Sequence, residues 1–444
     1  MSFLKKEHFF IYLFYITFSF FYFLKNVFID YSPISHDEVV NITTYLYKET
    51  LFLKNYPNNH ILTSVIGFFL TKILGTQIIF FRLISYTAFA IIFFLFIKKF
   101  NNIFFLFIFL LLFVLSDNLY LYSFLFRGYY LSSLLFVSIF FLLINNTKHK
   151  EKIIYCILTI LIAHNVSTTY LAIPIVLWVF LKDFQNNKFN SIQKIFLYFF
   201  LPFLIFHFFF GILNAIYISD FYSIIVNQNI DFNKKINLFF FLVFPKFTEG
   251  VKIIFFNPFT NISLLNSSYV FYKILFEDIV ISLIMISSFL ISFFRIFFFK
   301  KKTILDNIIF TFFIFFILIN KLPPIRIFVG FIFFFIFYVF LNLEKNILNF
   351  FRFKKLIIFI FLLTLLFFSF DRKITNIKVN GDLDFWHLNL ESTLQSKILN
   401  CRLPDDFVSE FYKHYIYYLY LRDCNITPDL KEFRLFYKFN RLNN

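Results

Sequence analysis

Along most of this chain, apolar runs of bilayer-spanning or near-spanning length follow one another, separated by short basic or polar clusters. A helix needs about 20 apolar residues to cross the hydrocarbon core of a bilayer. Within lipid every backbone donor and acceptor must be satisfied inside the segment itself. A chain built from such runs is thereby restricted to an all-α polytopic membrane architecture. Composition agrees: 60% of the 444 residues are hydrophobic and 15% charged, against about 45–50% and 25% in soluble domains. A soluble enzyme, a disordered chain, a repeat solenoid and a secreted disulfide scaffold are all excluded.

The runs lie at residues 9–29, 78–97, 103–116, 129–144, 196–217, 279–299, 303–320, 325–341 and 356–370. The stretch 153–181 is too long for one helix, and His164, Asn165, Ser167 and Thr168 divide it into two short spans. The expectation is about eleven spans within a transmembrane domain of residues 1–370, followed by a small polar region at 371–444. No small-residue cleavage site follows the first run, which reads as a retained helix.

The formal charge of +17 would suggest nucleic acid in a soluble protein. Here it reads as the positive-inside rule, with no nucleic-acid partner. With the N-terminus in the cytoplasm and the C-terminus outside, the cytoplasmic segments carry 18 Lys and Arg, and the longer outer loops 11. That orientation forces one choice. Residues 60–74 are tempting as a span, but counting them would put Lys98, Lys99 and every later basic cluster on the wrong side. They read instead as a helix at the outer interface, preceded by another near 38–54. The large outer loops are then 30–77 and 218–276.

Phenylalanine supplies 84 residues and glycine only 7. Most Phe reads as lipid-compatible bulk, and close helix packing through small residues is largely closed to this chain. No nucleotide-binding glycine loop, zinc-protease pair, serine-nucleophile elbow or Cys/His metal cluster is present. The three cysteines are Cys156 in an apolar run and Cys401 and Cys424 in the tail. Outside the cytoplasm the last two can pair; two reduced thiols are the alternative.

Few segments are left to carry chemistry. Ser35-His36-Asp37-Glu38 follows the first span and sets adjacent carboxylates at the water–membrane boundary. Such acids serve as a general base or, more plainly, complement the dipole at a helix start. In Tyr56-Pro57-Asn58-Asn59-His60, proline and asparagine form a turn and cap, which leaves His60 unexplained. Arg82, Arg127 and Arg326 sit at outer span ends, where the positive-inside rule disfavours them. Each can snorkel to headgroups; gathered at one depth they suit a lipid phosphate. His164 and Asn165 turn toward the same side.

An outer loop with an Asp37-Glu38 pair, a Pro/Asn turn, an apolar helix ending in Leu74-Gly75, then Phe80-Phe81-Arg82-Leu83-Ile84-Ser85 opening the next span together resemble the GT-C glycosyltransferases. The match is to the bacterial branch related to protein O-mannosyltransferases and the lipid A aminoarabinose transferase, that is, family 39-like enzymes. Asn58-Asn59-His60 and Arg127-Gly128-Tyr129 look like recurring features of that branch, and Pro323–Arg326 is a looser match. The resemblance covers residues 9–180, weakens to 341 and does not extend into the tail.

The resemblance implies a bacterial inner-membrane enzyme that takes a sugar from a polyprenyl-phosphate-linked donor at the outer face. Its acceptor would be a hydroxyl of a lipid, glycan or protein. The implied base is Asp37, with Glu38 and His60 as orienting groups. Arg82, Arg127 and Arg326 are the implied lipid-phosphate binders, and Asn59, Tyr129 and His164 are substrate contacts. A divalent metal on Asp37, Glu38 and His60 is left open, and no other cofactor is expected.

Two alternatives share the hydropathy pattern. A polysaccharide polymerase or ligase would be expected to keep Arg or His in a large later loop, whereas 218–276 contains only Lys among its basic residues. A transporter or flippase of lipid-linked sugars would favour internal repeats and charges at span centres, whereas here the charges collect at span ends.

Overall fold

The computed structural model describes residues 2–28, 38–39, 41–42, 60–145, 149–186, 188–210, 278–298, 303–319, 325–347 and 424. Among these residues there is no strand. The span at 356–370, the loop at 218–276, most of the helix near 38–54 and the tail apart from Cys424 lie outside the described residues. Three described helices are long and apolar enough to cross a membrane, namely Phe9–Val27, Ile78–Phe100 and Val280–Phe297. The architecture is that of an all-helical membrane protein. The described residues form two compact units, 2–131 with 424, and 132–347.

The first unit starts with α1 (Ser2–Phe23), which loosens into a π-helical turn at Leu24–Phe28. Helices α2 (Ile61–Leu74), α3 (Ile78–Phe100), α4 (Ile103–Leu115) and the short α5 (Asp117–Tyr122) follow. Asn101 adopts a left-handed conformation that ends α3. Asn102 then caps α4 by accepting from the Phe104 amide at 2.8 Å, and Ser116 caps α5 by accepting from the Leu119 amide at 3.1 Å.

Much of the phenylalanine here is core and not lipid-facing bulk. Phe89, Phe93, Phe109 and Phe113 are buried, with Phe89 stacked on Phe113 at 4.7 Å and Phe93 on Phe109 at 5.3 Å. Tyr15 and Phe18 of α1 meet Phe93 edge-on at 5.2 and 5.6 Å. Each such pair adds about 0.5–1.5 kcal/mol beyond area burial.

Helix α2 is built inside out. Thr63, Ser64, Gly67 and Thr71 are its buried residues, whereas Phe69, Ile73 and Leu74 are exposed together with Lys72. A helix facing water would show the opposite polarity.

Helix α6 (Tyr129–Ile144) leads into the second unit, which continues through α7 (Lys150–His164), α8 (Val166–Asn186), α9 (Lys188–Ile195), a π-helical turn at Phe196–Phe200, and α10 (Leu201–Phe210). Helices α11 (Ile279–Phe297), α12 (Ile304–Ile319) and α13 (Ile325–Ile347) complete it. The stretch 153–181 does break at the polar residues: Asn165 is extended between α7 and α8. Thr168 Oγ1 stabilises the break, accepting from the Asn165 amide at 3.1 Å.

Scarce glycine does not prevent one close helix approach. A Cβ on Gly330 of α13 would lie 2.9 Å from Ser132 Oγ of α6, and the neighbouring Ser133 hydroxyl donates to the Val329 carbonyl. Serine and glycine together supply the small surfaces that such packing requires.

Candidate functional site

Glu38 and Asn41, which follow the first helix, meet the Arg-Gly-Tyr segment in the first unit. Glu38 and Arg82 are both fully buried. Arg82 Nε donates to Glu38 Oε1 at 3.0 Å and Arg82 Nη2 to Oε2 at 2.9 Å. This is the fork geometry for which guanidinium is suited and lysine is not. Glu38 Oε1 also accepts from the Phe126 amide at 2.8 Å. The carboxylate therefore ties α3 to the segment that follows α5.

The next polar residue along the same turn extends the tie. Asn41 Nδ2 donates to the Phe126 carbonyl at 3.0 Å, and Arg127 Nη1 donates to Asn41 Oδ1 at 3.3 Å. From α3, Ser85 Oγ reaches the carbonyls of Leu125 at 2.6 Å and Arg127 at 3.1 Å. Backbone polar groups in an irregular buried segment need partners, and residues 125–127 receive them from Glu38, Asn41 and Ser85. Arg127 is thereby fixed in place, 8% exposed.

On the far side of Gly128, the His60 and Tyr129 rings meet edge-on at 4.9 Å, and Tyr122 meets Tyr129 at 4.8 Å. His60 is buried at the N-terminus of α2. Beneath this segment, Tyr120 donates to Asn26 Oδ1 of the π-helical turn at 3.0 Å. Burial pushes the Tyr120 phenol up to about 12, which keeps it a donor at any physiological pH.

Of the residues singled out from sequence, Glu38, Arg82 and Arg127 thus share one network, and His60 with Tyr129 flanks it. Asp37 and Asn59 lie outside the described residues. His164 is the buried last residue of α7 and Arg326 falls in the first turn of α13, both in the second unit. Among the described residues no three His, Cys, Asp or Glu side chains group as a metal site. Glu38, one of the three candidate ligands, has its carboxylate turned to Arg82 and the Phe126 amide.

Two network residues were not marked by sequence as functional. Asn41 opens an Asn-Ile-Thr sequon of the kind expected by chance in an Asn-rich chain, and Ser85 is the end of the Phe80–Ser85 motif. Both lie three residues after a charged partner, at 38/41 and 82/85, a spacing that puts side chains on one helix face. That spacing was the available signal.

Compared with family models, with curated proteins and with solved structures, the chain matches none.

Proposed function

We propose that the protein is a GT-C-type glycosyltransferase that moves a sugar from a polyprenyl-phosphate donor to an acceptor hydroxyl at the outer face of the bacterial inner membrane. The reading includes about eleven spans, a cytoplasmic N-terminus and an extracytoplasmic C-terminus. It is supported above all by the buried junction of Glu38, Asn41 and Arg82 with Phe126 and Arg127. That junction joins the loop carrying the acidic pair to the segment carrying the arginine. A glycosyl transfer needs a base and a phosphate-binding cation at a fixed separation.

In this reading the acceptor oxygen attacks the anomeric carbon as the bond from that carbon to the phosphate oxygen breaks. The acceptor proton passes to the Asp37 carboxylate, and the electron pair leaves with the lipid phosphate. The transition state is oxocarbenium-like, and a single displacement inverts the anomeric centre. Arg127 is the phosphate-binding cation that offsets the growing negative charge. Arg82 and Glu38, buried against each other, act as positioning residues for the two segments they join. His60 and Tyr129 line the acceptor or donor approach. The acceptor is a lipid, glycan or protein, and metal dependence is tested with chelator.

The experiment is sugar release from a panel of polyprenyl-phosphate sugars, with a mixed pool of envelope acceptors, by membranes containing wild type or Asp37→Asn. Turnover of one donor by wild type, reduced about 100-fold or more in the variant at equal expression, is expected for loss of a general base. Turnover that survives Asp37→Asn removes the assigned base. Wild type that releases no sugar from any donor overturns the transferase reading.

A further inference from the structure

Three helix ends of the second unit change character at one level. Helix α7 opens on Lys150-Glu151-Lys152 and turns apolar at Ile153. Helix α8 is apolar up to Leu181 and closes on Lys182-Asp183-Phe184-Gln185-Asn186. Helix α9 carries Lys188, Asn190, Ser191, Gln193 and Lys194, and the π-helical turn that continues it reads Phe196-Leu197-Tyr198-Phe199-Phe200.

Side-chain contacts hold these ends together. Tyr155, in the first turns of α7, donates to Asp183 Oδ2 at 2.5 Å, and Ser191 of α9 donates to the Asp183 carbonyl at 2.6 Å. Lys152 Nζ lies over the Tyr198 ring, 5.1 Å from its centroid. Asp183 is buried, with its carboxylate turned to Tyr155. Lys182 is exposed, and Lys152 and Lys194 are partly exposed. Among the described residues none of these three ammonium groups makes an ion pair.

The surface beside the lysines is apolar: Ile153, Leu181, Ile192, Phe196 and Leu197 are exposed. An exposed apolar surface of this kind marks an interaction site. Lysine stems and tyrosine rings that border one are the arrangement found at the headgroup level of a bilayer.

Charge complementarity names the occupant. Lys150, Lys152, Lys182, Lys188 and Lys194 outnumber Glu151 and Asp183, so this end is net positive. In the proposed orientation it faces the cytoplasm, whose leaflet carries negative surface potential. A soluble anion would match the lysines alone. An anionic phospholipid matches both the lysines and the apolar residues next to them.

We propose that the adjoining ends of α7, α8 and α9 form a docking surface for anionic phospholipid of the bilayer, with Lys152, Lys182 and Lys194 at the headgroup phosphate and the acyl chains on the exposed apolar residues beside them. The surface does not depend on the transfer reaction, and only its leaflet follows from the proposed orientation.

Cys156 supplies the probe. It is a free, exposed thiol four residues along α7 from Lys152, on the same helix face, and Cys424 is held in a disulfide. A fluorophore attached without reduction therefore reports on lipid next to this surface. The full-length protein, so labelled, is reconstituted in phosphatidylcholine bilayers containing a small fraction of dibrominated phosphatidylglycerol or, as control, dibrominated phosphatidylcholine. Bromine quenches the fluorophore on contact, so the two quenching curves give the local preference for the anionic lipid.

Wild type should prefer phosphatidylglycerol at least tenfold, and the preference should fall as salt is raised. Lys152→Gln, Lys182→Gln and Lys194→Gln should each lower it by up to about fivefold, and the triple variant should abolish it. Arginine at all three positions should retain it. Quenching by phosphatidylcholine should be the same throughout, and unfolding midpoints should stay close to wild type; the single variants carry the comparison if the triple glutamine variant does not fold. Equal quenching of wild type by the two lipids overturns the proposal. So does a preference that survives the triple variant, which would then belong to the charge of the whole chain. Lysine-dependent binding of pyrophosphate without any preference for phosphatidylglycerol also overturns it, and assigns the surface to a soluble anion.

Discussion

Arg82 and Glu38 lie 44 residues apart in sequence and meet as a bidentate ion pair from which solvent is excluded, at 3.0 and 2.9 Å. Two charges buried together are retained only with good geometry and further hydrogen bonds. Removing one partner leaves the other charge uncompensated, at about 3–5 kcal/mol. Arg82→Ala and Glu38→Ala should each lower the unfolding midpoint in detergent strongly. The double Glu38→Leu, Arg82→Leu variant should recover much of that loss, since neither charge is left stranded. Equal additive losses in the double variant would mean that the pair is not coupled. Arg82→Lys should also lose stability, because an ammonium cannot span both carboxylate oxygens.

The ends of this pair were legible from sequence, and its pairing was not. Adjacent carboxylates after the first span and a cation at the start of the next stand out by charge alone. Which atoms they use depends on how the chain folds back, and periodicity carries no information about that. Helix limits such as Tyr129–Ile144 and the break at Asn165 follow from hydropathy and polar interruption, and both agree with the runs read from sequence. The small-residue contact at Gly330 could not be seen that way, because one glycine among apolar residues gives no pattern. The polarity of α2 could be misjudged for a related reason. Its Thr, Ser and Gly positions look like the water-facing side until burial shows that they are the inner one.

The Gly330 contact is testable as a coupling. A Cβ at position 330 would come within 2.9 Å of Ser132 Oγ, while Ser132 Cβ is 3.9 Å away. The close atom is a hydroxyl and not backbone, so Gly330→Ala should be mildly destabilising, and Gly330→Leu severely so. Ser132→Ala removes the clashing atom. A double-mutant cycle of Ser132→Ala with Gly330→Ala should give a favourable coupling of about 1 kcal/mol, read from unfolding midpoints. A coupling of zero would show that the helices separate freely at this point.

Asp306 holds three helices of the second unit at one point. Its Oδ2 accepts from the Thr303 amide at 2.7 Å and the Thr303 hydroxyl at 2.8 Å, a capping arrangement at the start of α12. Its Oδ1 accepts from Arg295 Nε of α11 at 2.9 Å and from the Tyr338 hydroxyl of α13 at 2.6 Å. Asp306→Ala leaves all these donors without their acceptor and should destabilise by about 2–3 kcal/mol. Tyr338→Phe should cost about 1 kcal/mol. Arg295 is 30% exposed, so Arg295→Gln should cost less than about 1 kcal/mol. Thermal unfolding of the three variants checks the order, and an Arg295 effect equal to that of Asp306 would contradict it.

Cysteine chemistry offers an independent check of the proposed orientation. Cys156 is a free, exposed thiol, Cys424 is disulfide-bonded, and Cys401 completes the three cysteines of the chain. Structural disulfides persist in oxidising compartments and are rare in the cytosol. With the C-terminus outside, protein denatured directly in polyethylene-glycol maleimide should add one of them without reduction, and three when reduced first. Cys401→Ser should raise the count before reduction to two, by freeing Cys424. In intact cells a membrane-impermeant maleimide should then reach Cys424 in that variant. Three additions without reduction would remove the disulfide and, with it, this support for an extracytoplasmic tail.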